Sequence, residues 1–272
     1  MQKTKMKKIS IKKEGKLLKF IKTIFLLAFH KLENNSTNFK DGEEYTVNAI
    51  LNSFSKENGK FVFIDVGSNV GNYSKYIVSV CQQKGIDYEG HLFEPVKENF
   101  IGLENKLKHL PTLHLNNFGI SDVEKNIDIH LGGEHSSIDR YEMIGAYNKR
   151  TYNDLEVIRV KRLDAYLQHK NITRVDFLKI DTEGHEMKVL ESIQTFLEAQ
   201  EIDFIQYEYG DGHIFTKNFC RDFYMFFEKY GYRVFKIKPG YFEDRDYNFY
   251  MENFKTCNFI AISKSKLGEL MK

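Results

Sequence analysis

From residue 61 onward, short apolar runs alternate with amphipathic stretches. This is the pattern of strands in a mostly parallel sheet covered by helices on both faces. The first run, Phe61-Val62-Phe63-Ile64, stops at Asp65 and two nearby glycines, and a helix with Tyr73, Ile77, Val80 and Cys81 on one side follows until Gly85 ends it. His91-Leu92-Phe93 is a second strand that ends at Glu94-Pro95, where proline can open the next helix. A third strand is expected over 113–117 and a fourth over 175–180, ending at Asp181. Met187, Leu190, Ile193 and Leu197 then mark one buried helical stripe. A fifth strand over 202–207 ends at Glu208, and Phe219, Phe223, Phe226 and Tyr230 form an aromatic stripe that reads as core. Two last strands are expected over 232–237 and 257–262. The fold class is a doubly wound, Rossmann-like α/β sheet.

Residues 123–174 break this rhythm. They hold two extra strand candidates, 126–131 and 155–160, on either side of a polar stretch with Gly132, Gly133, His135, Ser136 and Ser137. The segment is expected to form a flap over the site, inserted between strands three and four. Residues 1–45 read as a basic tail with an amphipathic helix, and 46–272 as the α/β domain.

The net charge of +2 conceals a division. Residues 1–31 carry ten lysines and one acid, hence +9, which leaves −7 on the remainder. An acidic body is a poor nucleic-acid surface, so no nucleic-acid partner is expected. Three cysteines, Cys81, Cys220 and Cys257, are far apart, without zinc spacing and in apolar contexts; they read as small buried residues in a reducing, cytoplasmic setting. The apolar stretch 20–29 is about half of a membrane span, and Leu27-Ala28-Phe29-His30 offers no small-x-small cleavage pattern. From about Gly15, Leu17, Ile21, Ile24 and Ala28, with Leu18, Phe25 and Phe29, trace apolar helical faces. Such a helix either lies in a membrane interface or packs on the domain, and the sequence leaves both open. Oligomeric state is not legible.

The stretch FVFIDVGSNVGNYS, 61–74, carries the most chemistry. An apolar strand ends in an acid, and Gly67 and Gly71 bracket a tight turn into a helix, where a ligand can approach the backbone. A nicotinamide fingerprint, GxGxxG, needs glycine where Asn69 stands. Asp65 suits an ammonium group and not a phosphate. Glu94 ends the second strand, where open α/β sheets place the acid that holds ribose hydroxyls.

DVGSNVG (65–71), FEP (93–95), NFGISD (117–122) and above all LKIDTEGHE (178–186) resemble the FkbM family of S-adenosylmethionine-dependent methyltransferases. The resemblance implies a seven-stranded sheet with its final strand antiparallel, S-adenosyl-L-methionine as cofactor, and O-methylation of a hydroxyl on a sugar, glycan or other small molecule. It further implies that Asp65, Gly67, Asn69 and Gly71 line the methionine end of the cofactor, Glu94 its ribose and Asn117 its adenine, with Asp181 near the sulfonium and the acceptor.

Methyl transfer requires an aligned acceptor that loses a proton. Asp181, His185 and Glu208 are the candidate catalytic residues: Asp181 by position, His185 by intrinsic pKa although it opens a helix, and Glu208 by its strand end. Glu183 is expected to cap that helix or brace the turn. No metal is expected, because Glu208-Tyr209 stands where catechol-type relatives show Asp-Asn. His135 and His213 read as surface histidines. The competing functions are a nicotinamide-dependent oxidoreductase and a catalytically inactive cofactor-binding protein.

Overall fold

The computed structural model describes residues 16–33, 42–55, 57, 59–131 and 154–270. Two units separate at Asn35 and Ser36. In the first, α1 (Lys16–Glu33) is one helix. Its exposed apolar residues include Leu17, Phe20, Ile24, Phe25 and Leu27. No helix of the described residues is long and apolar enough to cross a membrane.

The second unit contains α2 (Glu43–Ser53), β1 (Phe61–Val66), α3 (Asn72–Lys84), β2 (Tyr88–Phe93), α4 (Lys97–Leu107), β3 (Leu113–Asn116), β4 (Gly119–Ile120), β5 (Lys125–Leu131), β6 (Asp154–Lys161), α5 (Leu163–His169) and β7 (Val175–Ile180). It continues with α6 (Glu186–Glu191), α7 (Gln194–Glu198), β8 (Ile202–Tyr209), α8 (His213–Thr216), α9 (Cys220–Lys229), β9 (Tyr232–Lys238), β10 (Tyr241–Asp244), β11 (Cys257–Ser263) and α10 (Lys264–Leu270). α2 runs across the 45/46 boundary expected from the sequence.

The main sheet has the order β10-β9-β11-β8-β7-β1-β2-β3. β1, β2, β3, β7 and β8 are parallel, whereas β11 lies antiparallel between β8 and β9. The seven expected strands are present, and the β9–β10 hairpin adds an eighth at the edge. One core layer, including Ile64, Leu178, Ile205 and Phe223, packs on one face, and another, including Phe63, Ile77, Phe177 and Ile260, on the other. At roughly 1.5–3 kcal/mol for each fully buried large side chain, these two layers supply the main force that holds the sheet between its helices.

β5 and β6 form an antiparallel pair that β4 joins as a smaller sheet. The polar stretch expected between them lies outside the described residues, His135 included. Two helical readings change. The stripe Met187, Leu190, Ile193 and Leu197 is buried as expected, yet it spans α6 and α7, broken at Ser192, whose hydroxyl donates to Val189 O at 2.6 Å. On α9 the buried residues are Cys220, Phe223 and Phe227, while Phe219 is 48% exposed. Phe219 is the extended residue before the helix, where its N–H donates to Asp222 Oδ2 at 2.8 Å, so the apolar stripe starts one residue later. All three cysteines are buried.

Candidate active site

The turn after β1 forms because Gly67 and Gly71 take left-handed backbone angles, φ 83° and 78°. A Cβ at Gly67 would stand 1.8 Å from the carbonyl oxygen of Asp181, and one at Gly71 would stand 2.5 Å from Leu103 Cδ1 on α4. Both glycines are therefore required by protein contacts before any ligand is considered. Asn69 is also left-handed, φ 48°, a conformation that asparagine tolerates better than most residues.

Each backbone N–H in this turn is committed internally. Gly67 and Ser68 donate to Phe93 O, both at 3.0 Å, and Gly71 donates to Ser68 O at 2.8 Å. Asn69 N–H donates to Glu94 Oε2 at 2.9 Å, and Val70 N–H to Asn69 Oδ1 at 2.7 Å. A pyrophosphate cradle needs free amides aimed outward. This turn, from Gly67 to Gly71, offers none, which removes the physical basis of the nicotinamide reading.

Glu94 is fixed from both sides, since its Oε1 accepts from Val96 N–H at 2.9 Å. Its carboxylate is 4% exposed. Burial pushes its pKa up to about 7, against the pull of the Val96 and Asn69 amides. Asn117 Nδ2 donates to the Glu94 and Pro95 carbonyls at 2.9 and 3.1 Å, bracing the strand end.

A cavity of about 260 Å³ opens at the carboxyl ends of β1, β2, β7 and β8, where open α/β sheets bind ligands. Gly67, Asn69, Glu94, Asp181, His185 and Glu208 line it, and Ile129, Ile158 and Val160 of the small sheet close one wall. Three expected residues are not on that wall. Asp65 is fully buried at the end of β1, Gly71 packs on α4, and Asn117 holds backbone.

Behind Asp181 lies a charge network whose importance the sequence reading missed. Lys179, buried, places Nζ 2.8 Å from Asp181 Oδ2 and 4.9 Å from the Tyr73 ring centre. Burial opposes its charge, but Asp181, Asp65 and Glu43 together outweigh burial and hold its pKa above the ordinary lysine value. Asp65 accepts from Ser74 Oγ at 2.6 Å, and burial raises its pKa. Glu43, contributed by α2, is pushed up to about 7 by burial and accepts from Gln206 Nε2 at 3.1 Å. A lysine between Leu178 and Ile180 in the strand VDFLKI was the available signal, because a buried cation demands partners. Nothing in the sequence announced Glu43.

Beyond Asp181 the chain turns through Glu183, at φ 55°, into α6, which His185 precedes as its N-terminal cap position. His185 Nε2 lies 3.0 Å from Ser121 Oγ. Glu208 has its pKa raised by burial and then by Asp181, Glu183 and Glu186. His213 corrects the surface reading: it is 2% exposed, with Nε2 2.9 Å from Glu186 Oε2 and Nδ1 accepting from Gly210 N–H at 3.1 Å. Glu186 Oε1 in turn accepts from Thr182 N–H and Oγ1 at 2.7 and 3.1 Å. This buried pair ties the turn after β7 to the turn after β8.

Fold and site together define a doubly wound α/β protein with a buried acid, Glu94, at the strand-end cavity. Residues 65–234 match the methyltransferase FkbM domain, and the chain belongs to that family. No curated protein matches it. Among solved structures it is similar to methyltransferase FkbM from Methylobacillus flagellatus KT, with 15% identity over 74% of this chain and 43% of that one, TM-score 0.45. It is also similar to an S-adenosylmethionine-dependent methyltransferase from Aquifex aeolicus, with 12% identity over 86% and 97% of the two chains, TM-score 0.40. TrmK of M. capricolum, solved with S-adenosylhomocysteine, shows 9% identity over 81% and 68%, TM-score 0.40. The chain spans about half the length of the first of these solved relatives.

Proposed function

We propose that the chain methylates a hydroxyl oxygen of a sugar, glycan or other small molecule, and that Asp181 receives the hydroxyl proton. The observation that carries this reading is the cavity wall, on which three ionisable side chains, Asp181, His185 and Glu208, share one space with Glu94. The residues present fit the cofactor. Each Glu94 oxygen is already anchored by one backbone N–H, which leaves it a lone pair for a ribose hydroxyl. Asp65, fully buried behind the cavity wall, acts on the buried Lys179 instead and so supports the site from behind. In this reading Gly67 and Asn69, which line the cavity, shape the methionine end, while Gly71 and Asn117 hold the backbone that frames it.

When bound, S-adenosylmethionine supplies an activated methyl group for in-line transfer to the acceptor oxygen. The chain's residues align that oxygen and take its proton. Lys179 holds Asp181 through Oδ2, which fixes the carboxylate's orientation. Glu208, its pKa raised by burial and then by Asp181, stands on the same wall as a second proton-handling group, and His185 completes the wall. The apolar side chains Ile129, Ile158 and Val160 exclude water from the cavity. The excess of acid over base outside the tail supports a small-molecule or glycan acceptor over a nucleic acid. Incubation with methyl-labelled cofactor and a panel of glycans and lipid-linked sugars tests the reading. Label in an alkali-stable methyl ether supports it, and label only in nucleic acid or protein overturns it.

The tail adds a second element. Its +9 charge and the exposed apolar residues of α1 support peripheral contact with an anionic membrane surface.

A further inference from the structure

At the opposite end of β2 from the turn that holds Glu94, the sheet register creates a second cluster of donors. His91 on β2 is the parallel-ladder partner of His114 on β3, and Glu89 lies two residues before His91, on the same face of the strand. Glu89 Oε1 is 3.4 Å from His91 Nε2 and 3.3 Å from His114 Nε2. The three ligand atoms all lie within 4.8 Å of one another. We propose that Glu89, His91 and His114 form a binding site for a divalent transition-metal ion of the zinc class, separate from the methyl-transfer site.

Four features carry the assignment. The first is spacing: with zinc–ligand bonds of about 2.0–2.1 Å, donor atoms at the corners of a tetrahedron stand about 3.3–3.4 Å apart. Both measured carboxylate–imidazole separations fall there. Second, His91 is wholly buried and its Nε2 has no hydrogen-bond partner among the described residues. A buried ring nitrogen left without a partner is costly, and Glu89 Oε1 lies 3.4 Å from it. Third, His91 Nδ1 lies 2.9 Å from the Tyr166 hydroxyl. An outer partner of this kind fixes the ring, and in the tautomer in which Nδ1–H donates to the hydroxyl, Nε2 is a ligand. Fourth, the sheet register fixes the set: His91 and His114 are ladder partners on adjacent strands, so the two imidazoles stand side by side with Glu89.

Access comes from the topology. β3 is the last strand of the sheet, and the His114 side chain is 38% exposed, so an ion enters from the edge and a water completes the coordination. The two rings now stack, 4.5 Å apart with planes 9° from parallel; for both lone pairs to converge, His114 must tilt out of the stack, and its exposure allows this. Two cations face the cluster. Lys60 Nζ is 3.6 Å from Glu89 Oε2, and Lys170 acts on His91 electrostatically. Both weaken affinity without occupying Glu89 Oε1. Two nitrogen donors and one carboxylate favour zinc, or cobalt as its spectroscopic substitute, over magnesium or calcium.

The test uses the full chain, free of any histidine tag and stripped with chelator. It is titrated with Zn²⁺ by calorimetry and with Co²⁺ by visible absorption, beside His114→Ala and Glu89→Gln. The expected result is about one equivalent of Zn²⁺ and a tetrahedral Co²⁺ spectrum in the parent, with affinity reduced ~10-fold or more in each variant. Both substitutions lie at exposed or part-exposed side chains, and circular dichroism confirms their folding. Absence of Zn²⁺ binding in the parent, or equal binding in both folded variants, overturns the proposal and leaves the trio as a carboxylate between two imidazoles.

Discussion

Glu94→Ala should weaken S-adenosylhomocysteine binding by about 1.5–3 kcal/mol, the usual range for hydrogen bonds to a charged acceptor, or roughly ten- to a hundredfold in Kd. The same change strips the acceptor from Asn69 and Val96 N–H, so the turn itself loses stability, by about 1–3 kcal/mol for each amide that water cannot reach. Glu94→Gln separates the two effects. Its one carbonyl oxygen satisfies a single amide while its NH₂ faces the other, so the fold is partly retained and the ribose contact is lost. pH gives an independent handle. The buried carboxyl has a pKa of about 7 against 4.5 for the ordinary group. Between these values the folded protein binds the proton that the unfolded chain has released, and stability without ligand falls as pH rises through this window. Ribose hydroxyls select the ionised form, so ligand binding releases a proton and tightens with rising pH. With a pKa of about 7, only about a tenth of Glu94 is ionised at pH 6, which predicts ~10-fold weaker binding at pH 6 than at pH 8. Calorimetry in buffers of different ionisation enthalpy counts the proton directly. An unchanged Kd in folded Glu94→Gln, together with a flat pH profile, would refute the assignment of Glu94 to the ribose.

Three other outcomes follow. Gly67→Val places its Cβ 1.8 Å from Asp181 O at a φ of 83°, and should cost at least ~2 kcal/mol of stability, seen as a lowered thermal midpoint even without cofactor; a midpoint equal to the parent's would contradict the close approach. Asp181→Asn should lower turnover far more than cofactor affinity, and turnover preserved within a few-fold would move the base to Glu208 or His185. In liposome flotation with anionic lipid, the full chain should float at low salt and a chain lacking residues 1–31 should not, since lysines near such a surface contribute about 1 kcal/mol each; a full chain that stays at the bottom ends the membrane proposal.

Local pattern made most of the sheet legible, because an apolar run that stops at Asp65, Glu94, Asp181 or Glu208 states both the strand and the end at which the cavity opens. The four acids come from four separate strands, and the parallel arrangement brings those ends to one rim. What escaped depended on distant partners. In Phe223-Tyr224-Met225-Phe226-Phe227 two aromatic stripes are written at once, and only packing against Tyr207, whose ring stacks on Phe223 and Phe227, chooses between them. His213 follows a glycine-flanked turn and looks like a surface residue until Glu186 is placed beside it. Lys179 was readable as a buried charge, but its three carboxylates lie 136 residues upstream, 114 upstream and two downstream, and only the last was in view. The metal-class trio was equally hidden, for His114 gains meaning only through its register with His91.

The position of β11 sets an order of events during synthesis. Cys257 to Ser263 pair with β8 on one side and β9 on the other, so the ribosome delivers an interior strand of the sheet after both of its neighbours. Until those residues leave the exit tunnel, β8 presents an unpaired apolar edge, and the β9–β10 hairpin has nowhere to attach. A nascent chain stalled before Cys257 should therefore be sticky and protease-sensitive, and closure of the sheet should wait until β11 emerges. The last strand written is the one that joins the two halves of the sheet.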